Sequence, residues 1–110
     1  SALCYRLCAR FGFNEGVCNH LSLQPEGRQD RILLITYGLH WSQATASDIL
    51  VLDADGHVLQ GQGEPERSGV PSHLALHREL GSQATAVFHT HMPFATTLMA
   101  IGMHCGGRLL

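Results

Sequence analysis

Val87-Phe88-His89-Thr90-His91 is the segment of this 110-residue chain whose residue types and spacing point most directly to chemistry. On a β-strand, residues two apart share a face, with Cα atoms about 6.5–7 Å apart. Two imidazoles so placed converge on one divalent ion and leave its other positions to further ligands or to substrate. A helix opening at Pro93 puts the pair at a strand end, where sites open. Spacing alone leaves a plainer alternative, with one histidine hydrogen-bonded in a core and the other exposed.

A second pair, His73 and His77, lies four apart on a predicted helix and so on one face. Leu74 stands where a metalloprotease HExxH motif has its Glu, so packing or hydrogen-bonding histidines are the favoured reading there. His20 follows Asn19 at a strand start and reads as a turn residue. His40, His57 and His104 have no partner at informative spacing. Asp53 and Asp55 belong to a hairpin turn and lack the further carboxylates of a calcium loop. The chain has no GxSxG, no phosphate-binding P-loop and no GxGxxG. The cysteines, without sequence-adjacent positive charge, read as small buried apolar groups.

The elements that must position these residues are legible from periodicity. Leu3, Cys4, Leu7, Cys8 and Phe11 predict an amphipathic helix over 2–11, stopped by Gly12. Short strands follow at His20–Leu23 and Ile32–Thr36. A helical turn is expected around Thr45–Asp48 and a strand over Ile49–Leu52. Asp53-Ala54-Asp55-Gly56 then turns the chain into a hairpin returning at Val58. The polar stretch 61–68 reads as an exposed loop. Ser68 or Ser72 is positioned to cap a helix carrying Leu74, Leu76, His77 and Leu80, with Pro71 in its first turn and Gly81 as its stop. Thr85–His91 predicts a strand, and a last helix runs through Phe94, Leu98 and Ile101. Mixed helices and hairpin-linked strands imply an α+β or mixed-sheet α/β domain.

Composition narrows the function classes. With 45% apolar and 15% charged residues the chain is globular, and its length fits one domain. A formal charge of −2, with seven Arg and no Lys, gives no footprint for nucleic acid or an anionic membrane surface. No apolar run reaches the ~18–20 residues of a membrane span, and no signal peptide is evident. Four cysteines without CxxC spacing fit reduced thiols in a cytoplasmic protein. Both ends read as cut, at Ser1 inside an apolar-periodic stretch and at Leu109-Leu110, so the expectation is one partial domain over 1–110.

The order of the segments is more informative than any one of them. Phe13-Asn14-Glu15-Gly16-Val17-Cys18-Asn19-His20-Leu21-Ser22 is followed by Leu34-Ile35-Thr36-Tyr37-Gly38-Leu39-His40-Trp41. Ala46-Ser47-Asp48-Ile49-Leu50, Gly61-Gln62-Gly63-Glu64-Pro65 and His73–His77 come next, and Val87–Ala95 closes the series. This succession, from about Leu7 to Leu110, resembles the class II aldolase/adducin N-terminal domain family. The resemblance implies a truncated three-layer α/β/α domain with a central, mostly antiparallel sheet, assembled as a homotetramer. It implies a metal-dependent lyase-like activity on a small hydroxy-carbonyl or sugar-derived compound, passing through an enediolate with Lewis-acid help from a divalent ion, zinc above all. His89 and His91 match the metal-ligand pair, and the third ligand is expected beyond Leu110. Asn19, Gly38 and Ser68 match positions that bind the substrate's phosphate in the sugar-phosphate aldolases.

Departures from the family pattern matter as much. The aldolases' acid/base Glu, nineteen residues ahead of the first metal histidine, is here Val70, so the catalytic acid/base is unassigned; His73, one helical turn on, is a candidate substitute. The second of two phosphate-binding serines is Gly69. Tyr37 and Cys18 replace small residues beside Gly38 and Asn19. These changes bring the chain toward the adducin-like branch. The alternative function is therefore a non-catalytic binding, cytoskeletal or structural protein that keeps the fold.

Overall fold

The computed structural model describes residues 1–16 and 18–104, with side chains through Ile101. Cys105 and the terminal Leu109-Leu110 lie outside the described residues. Helix α1 (Ala2–Arg10) is followed by strands β1 (His20–Leu23) and β2 (Arg31–Ile35), then by two single 3₁₀ turns, Trp41–Gln43 and Ala46–Asp48. The hairpin of β3 (Ile49–Asp53) and β4 (Val58–Gln60) leads to helix α2 (Val70–Leu80), strand β5 (Ala86–His89) and helix α3 (Pro93–His104).

The five strands form one sheet in the order β4-β3-β2-β1-β5, every neighbouring pair antiparallel. Strand alternation divides its side chains between two faces. On one face Leu21 of β1 and Ile35 of β2 meet Tyr5 of α1, Trp41 and Ala44. On the other, Ile32 and Leu34 of β2 and Leu50 and Leu52 of β3 pack with Val70, and Leu74 of α2 closes over them. Helix, sheet and helix are thus the three layers that the resemblance implies. Burying each such leucine or isoleucine contributes about 1.5–3 kcal/mol, and the two clusters fix both helices against the sheet. Tyr5 adds a polar tie: its hydroxyl donates to the Leu21 carbonyl and accepts from the Ile35 N–H at 2.9 Å. Among the described residues, no helix is long and apolar enough to cross a membrane.

Three local expectations need correction. Strand β5 stops at His89, so His91 lies just outside the ladder rather than on the strand. Its backbone N–H instead reaches the Phe13 carbonyl at 3.3 Å. Helix α2 is capped by neither Ser68 nor Ser72. Gly69 is its N-cap, and the carboxylate of Glu66 takes the orphan N–H groups of Ser68 and Gly69 at 3.1 and 2.6 Å. Cys18 is exposed rather than buried, while Cys4 and Cys8 pack at the edge of the α1 cluster; all three are free thiols.

Candidate metal centre and adjoining clefts

Cross-strand register assembles the site. In the β1–β5 pair His20 stands opposite His89, and Ser22 opposite Val87, so His20, Ser22 and His89 share the face toward α2. Helix α2 brings His73 and His77 to the same face, one turn apart, both buried. Four of the eight histidines therefore gather on this face of the β1–β5 pair.

The His89–His91 pair converges. Their Nε2 atoms stand 3.2 Å apart, although β5 ends between them, because the chain bends over Phe13 after Thr90. On the far side of His91, Nδ1 donates to the Glu15 carboxylate at 2.8 Å. A neutral His91 with its proton on Nδ1 turns a lone pair on Nε2 toward His89. Two imidazole nitrogens on a tetrahedral zinc, each ~2.0–2.1 Å from the ion, stand about 3.3–3.4 Å apart, close to the observed separation. A carboxylate on the outer nitrogen is the usual support for a metal-ligating histidine. The donor set thus fits a divalent ion. Nothing in the sequence spacing announced Glu15, which lies 76 positions from His91.

The His73–His77 pair is used up internally. The Ala84 carbonyl accepts from His77 Nδ1 at 2.7 Å, which puts that ring's proton on Nδ1 and leaves Nε2 as an acceptor. The Ser22 hydroxyl must then donate to His77 Nε2, at 2.7 Å, and accept from His73 Nδ1, at 2.6 Å. The chain runs His73→Ser22→His77→Ala84 carbonyl, and Ser22 has no solvent exposure. Burial pushes His73 down to about 4, helped by the nearby His20, His77 and His89. Burial also lowers His77, against the hydrogen bond to Ala84. Both rings are neutral at pH 7. These are hydrogen-bonding histidines, as the missing HExxH glutamate led one to expect.

His20 sits between the two pairs. Its ring stacks on His89 with centroids 5.1 Å apart and meets His73 edge-on at 5.7 Å. Its Nε2 bonds Glu66 at 3.1 Å. It is the first residue of β1 and part of the histidine cluster rather than the turn residue that its neighbour Asn19 suggested. The available signal was its position two residues before Ser22 on one strand.

Three clefts surround this cluster. A tight one, with about 20 Å³ of room for a water-sized guest, is lined by Asn19, Gly38, Trp41 and Val70 and closed by His20 and Glu66. A cleft of about 290 Å³ opens on the other side of His20, bounded by Ser68, Gly69, His73 and His89. A third, about 430 Å³, exposes His91 and Glu15 against the start of α3. Asn19 and Gly38, paired by the resemblance, do meet in one cleft, but Ser68 faces a different one. Asn19 is buried, and its amide braces the turn before β1 through the Glu15 N–H and carbonyl at 2.9 and 3.3 Å. Gly38 holds φ +86°, with open space where a Cβ would project, so its backbone conformation is what demands glycine.

Asp53, Asp55 and His57 also bring three ligand atoms within 4.8 Å of one another, in the β3–β4 turn at the opposite edge of the sheet. There Asp53 Oδ1 accepts from the Asp55 and His57 N–H groups at 2.9 Å each, which is the hydrogen bonding of an aspartate-headed turn. Val70, where the aldolases carry their acid/base Glu, is buried in the sheet-facing cluster and carries no proton.

Comparison with known proteins agrees with this architecture. A protein of Pseudomonas aeruginosa provisionally named an aldolase class 2 protein is 34% identical over 91 residues, covering 82% of this chain and 34% of its own. Alpha-adducin of Rattus norvegicus is 26% identical over 105 residues, 93% of this chain and 14% of that one. The solved structure of L-fuculose 1-phosphate aldolase from Glaciozyma antarctica superposes with a TM-score of 0.84 at 22% identity, over 92% of this chain and 42% of its own. The chain thus spans well under half the length of each of these proteins. The family described as Class II Aldolase and Adducin N-terminal domain matches residues 1–107, and the chain belongs to that family.

Proposed function

We propose that this chain is the metal-holding part of a lyase-like enzyme acting on a small hydroxy-carbonyl compound, with His89 and His91 as two ligands of a divalent ion, zinc first. The observation that carries the reading is the 3.2 Å approach of the two Nε2 atoms, backed by Glu15 on the outer nitrogen of His91. His89 and His91 would hold such an ion, which would supply Lewis acidity to a substrate carbonyl oxygen. Glu15 holds the His91 ring in the tautomer that offers Nε2. The His73–Ser22–His77 chain fixes the α2 wall of the cleft, and His73 Nε2 is the lone pair left over on that wall. Two imidazoles leave a tetrahedral ion short of the three protein ligands typical of catalytic sites, so the third is supplied from beyond Leu110 in the whole protein. Assembly into a homotetramer in the cytoplasm accords with the family. So do the apolar side chains that α3 leaves exposed, among them Phe94, Leu98 and Ile101.

One observation favours a second reading. Val70 is buried and apolar where the aldolases keep a proton-transferring Glu, which suits an adducin-like protein that binds without catalysis. Zinc titration of the full-length protein by calorimetry, followed by a screen of hydroxy-aldehydes and hydroxy-acids, separates the two. Zinc binding lost in His89→Ala together with turnover supports the enzyme. A full-length protein that binds no zinc supports the adducin-like reading instead.

A further inference from the structure

The corner of the site at the start of α2 holds an anion already, and it is the chain's own. Glu66 Oε1 accepts from the Ser68 N–H at 3.1 Å and from the Ser68 hydroxyl at 2.8 Å. Its Oε2 lies 2.8 Å from the same hydroxyl, 2.6 Å from the Gly69 N–H and 3.1 Å from His20 Nε2. A carboxylate has about four lone-pair positions, and these contacts fill them. Partial burial pushes Glu66 up, but the hydrogen bonds from Ser68 and Gly69 and the neighbouring His20 outweigh it and hold the group below the ordinary carboxylate range.

Three further features bear on what this corner accepts. The His20 ring occupies the space that a side chain at position 69 would need: a Cβ on Gly69 would lie 2.5 Å from Nδ1. A serine there requires the His20 ring to shift. Among the described residues neither cleft beside His20 is lined by an arginine, the chain has no lysine, and Arg67 is tied outward to Glu64. The narrow cleft that holds Asn19 and Gly38 has Glu66 itself in its wall.

We propose that Glu66 is a specificity-determining residue that fills the site's anion cradle and restricts the substrate to unphosphorylated hydroxy-carbonyl compounds. This rests on the reading of His89 and His91 as the reactive centre and names the substrate class for it. A phosphate arriving in the corner that Glu66 occupies meets one fixed negative charge, and N–H and O–H donors already engaged. A neutral hydroxyl end meets none of these penalties. The chain therefore differs in specificity from relatives named for sugar phosphates, although the fold is shared.

Inorganic phosphate is the probe, titrated into the full-length protein in excess EDTA so that no metal contributes to binding. Wild type should show no calorimetric binding at millimolar phosphate. Glu66→Ala should bind at least about tenfold more tightly than wild type, the yield of one charge-assisted hydrogen bond, and adding Ser68→Ala should remove that gain. Glu66→Gln keeps the side chain's size without its charge and should show a smaller gain; it decides the matter if the alanine variant does not fold. Wild type binding phosphate as well as the variants would overturn the proposal, as would folded variants that gain nothing. Zinc affinity is measured separately in the same protein, so a failed metal reading leaves the phosphate result standing and distinguishable.

Discussion

Two histidine pairs, each with one ring beside the His20 ring, have opposite fates. His73 and His77 spend three of their four ring nitrogens on one another's surroundings, through Ser22 and the Ala84 carbonyl. His89 and His91 point two nitrogens at the same small space, and the carboxylate behind His91 keeps one of those nitrogens an acceptor. Pairing in sequence is common to both and decides nothing. What differs is the second partner of each ring: a buried hydroxyl shared by two histidines locks a wall, whereas an exposed carboxylate behind one histidine leaves that ring's other nitrogen an acceptor. A neutral imidazole has one donor and one acceptor, so the partner at one nitrogen dictates what the other offers.

The sharpest way to break this contrast is metal affinity. His89→Ala or His91→Ala in the full-length protein should weaken zinc binding by more than the ~10–100-fold typical of losing an outer partner. Ser22→Ala, which unlocks the other pair, should leave zinc affinity within about threefold. Comparable losses in all three variants would mean that the locked pair is part of the metal site. Next in size is Glu15→Gln, which keeps the shape but replaces the carboxylate behind His91. About a tenfold loss of zinc affinity is expected, with no change in unfolding midpoint, since Glu15 is exposed. An unchanged affinity would reduce Glu15 to a surface contact.

How far the sequence carries follows the same division. Period-two and period-3.6 patterns place β3, α1 and α2 within a residue or two, because each turns one face to the core, and the hairpin turn at Asp53–Gly56 announces itself through local side-chain chemistry. The HxH pair is legible for the same reason. Glu15, Ser22 and Glu66 are not, since each acquires its role from a partner more than forty residues away or from a turn that folds back on a neighbouring strand. The end of β5 is also misjudged. Thr85–His91 has strand propensity throughout, but β1 supplies pairing partners only as far as His20, opposite His89, and beyond that Phe13 takes over. Tertiary partners set that boundary, and propensity does not contain them.

Stability sharpens the contrast from the other side. Ser22→Ala removes the hydroxyl that satisfies two buried rings, and leaving such groups unpaired costs about 1–3 kcal/mol. Urea unfolding of the metal-free protein should show that loss in Ser22→Ala and less than about 0.5 kcal/mol in His91→Ala, whose ring is part-exposed. Equal costs would show that the exposed pair is also a structural element.

The last effect expected is a pH dependence carried by the locked pair together with His20, which burial also lowers. His73 has its folded value lowered from 6.5 to about 4, and His77 is lowered too, so the folded protein resists protons that the unfolded chain accepts. The sign follows directly: the contribution is complete above pH 6.5 and is lost as the pH falls toward 4, where the folded state also takes up the proton. Each histidine contributes a slope of at most about 1.4 kcal/mol per pH unit in that window. The carboxylates held low by hydrogen bonds, Asp48, Asp53 and Glu66 among them, act in the same direction but at lower pH, because their unfolded values lie near 4. The interval from pH 6.5 to 4.5 therefore isolates the histidines. Unfolding midpoints of metal-free protein measured across it should fall steadily in wild type and fall less in His73→Gln, which has no proton to accept. A wild-type midpoint flat from pH 6.5 to 4.5 would mean that the His73–Ser22–His77 chain tolerates a charge, and that the locked pair is not locked.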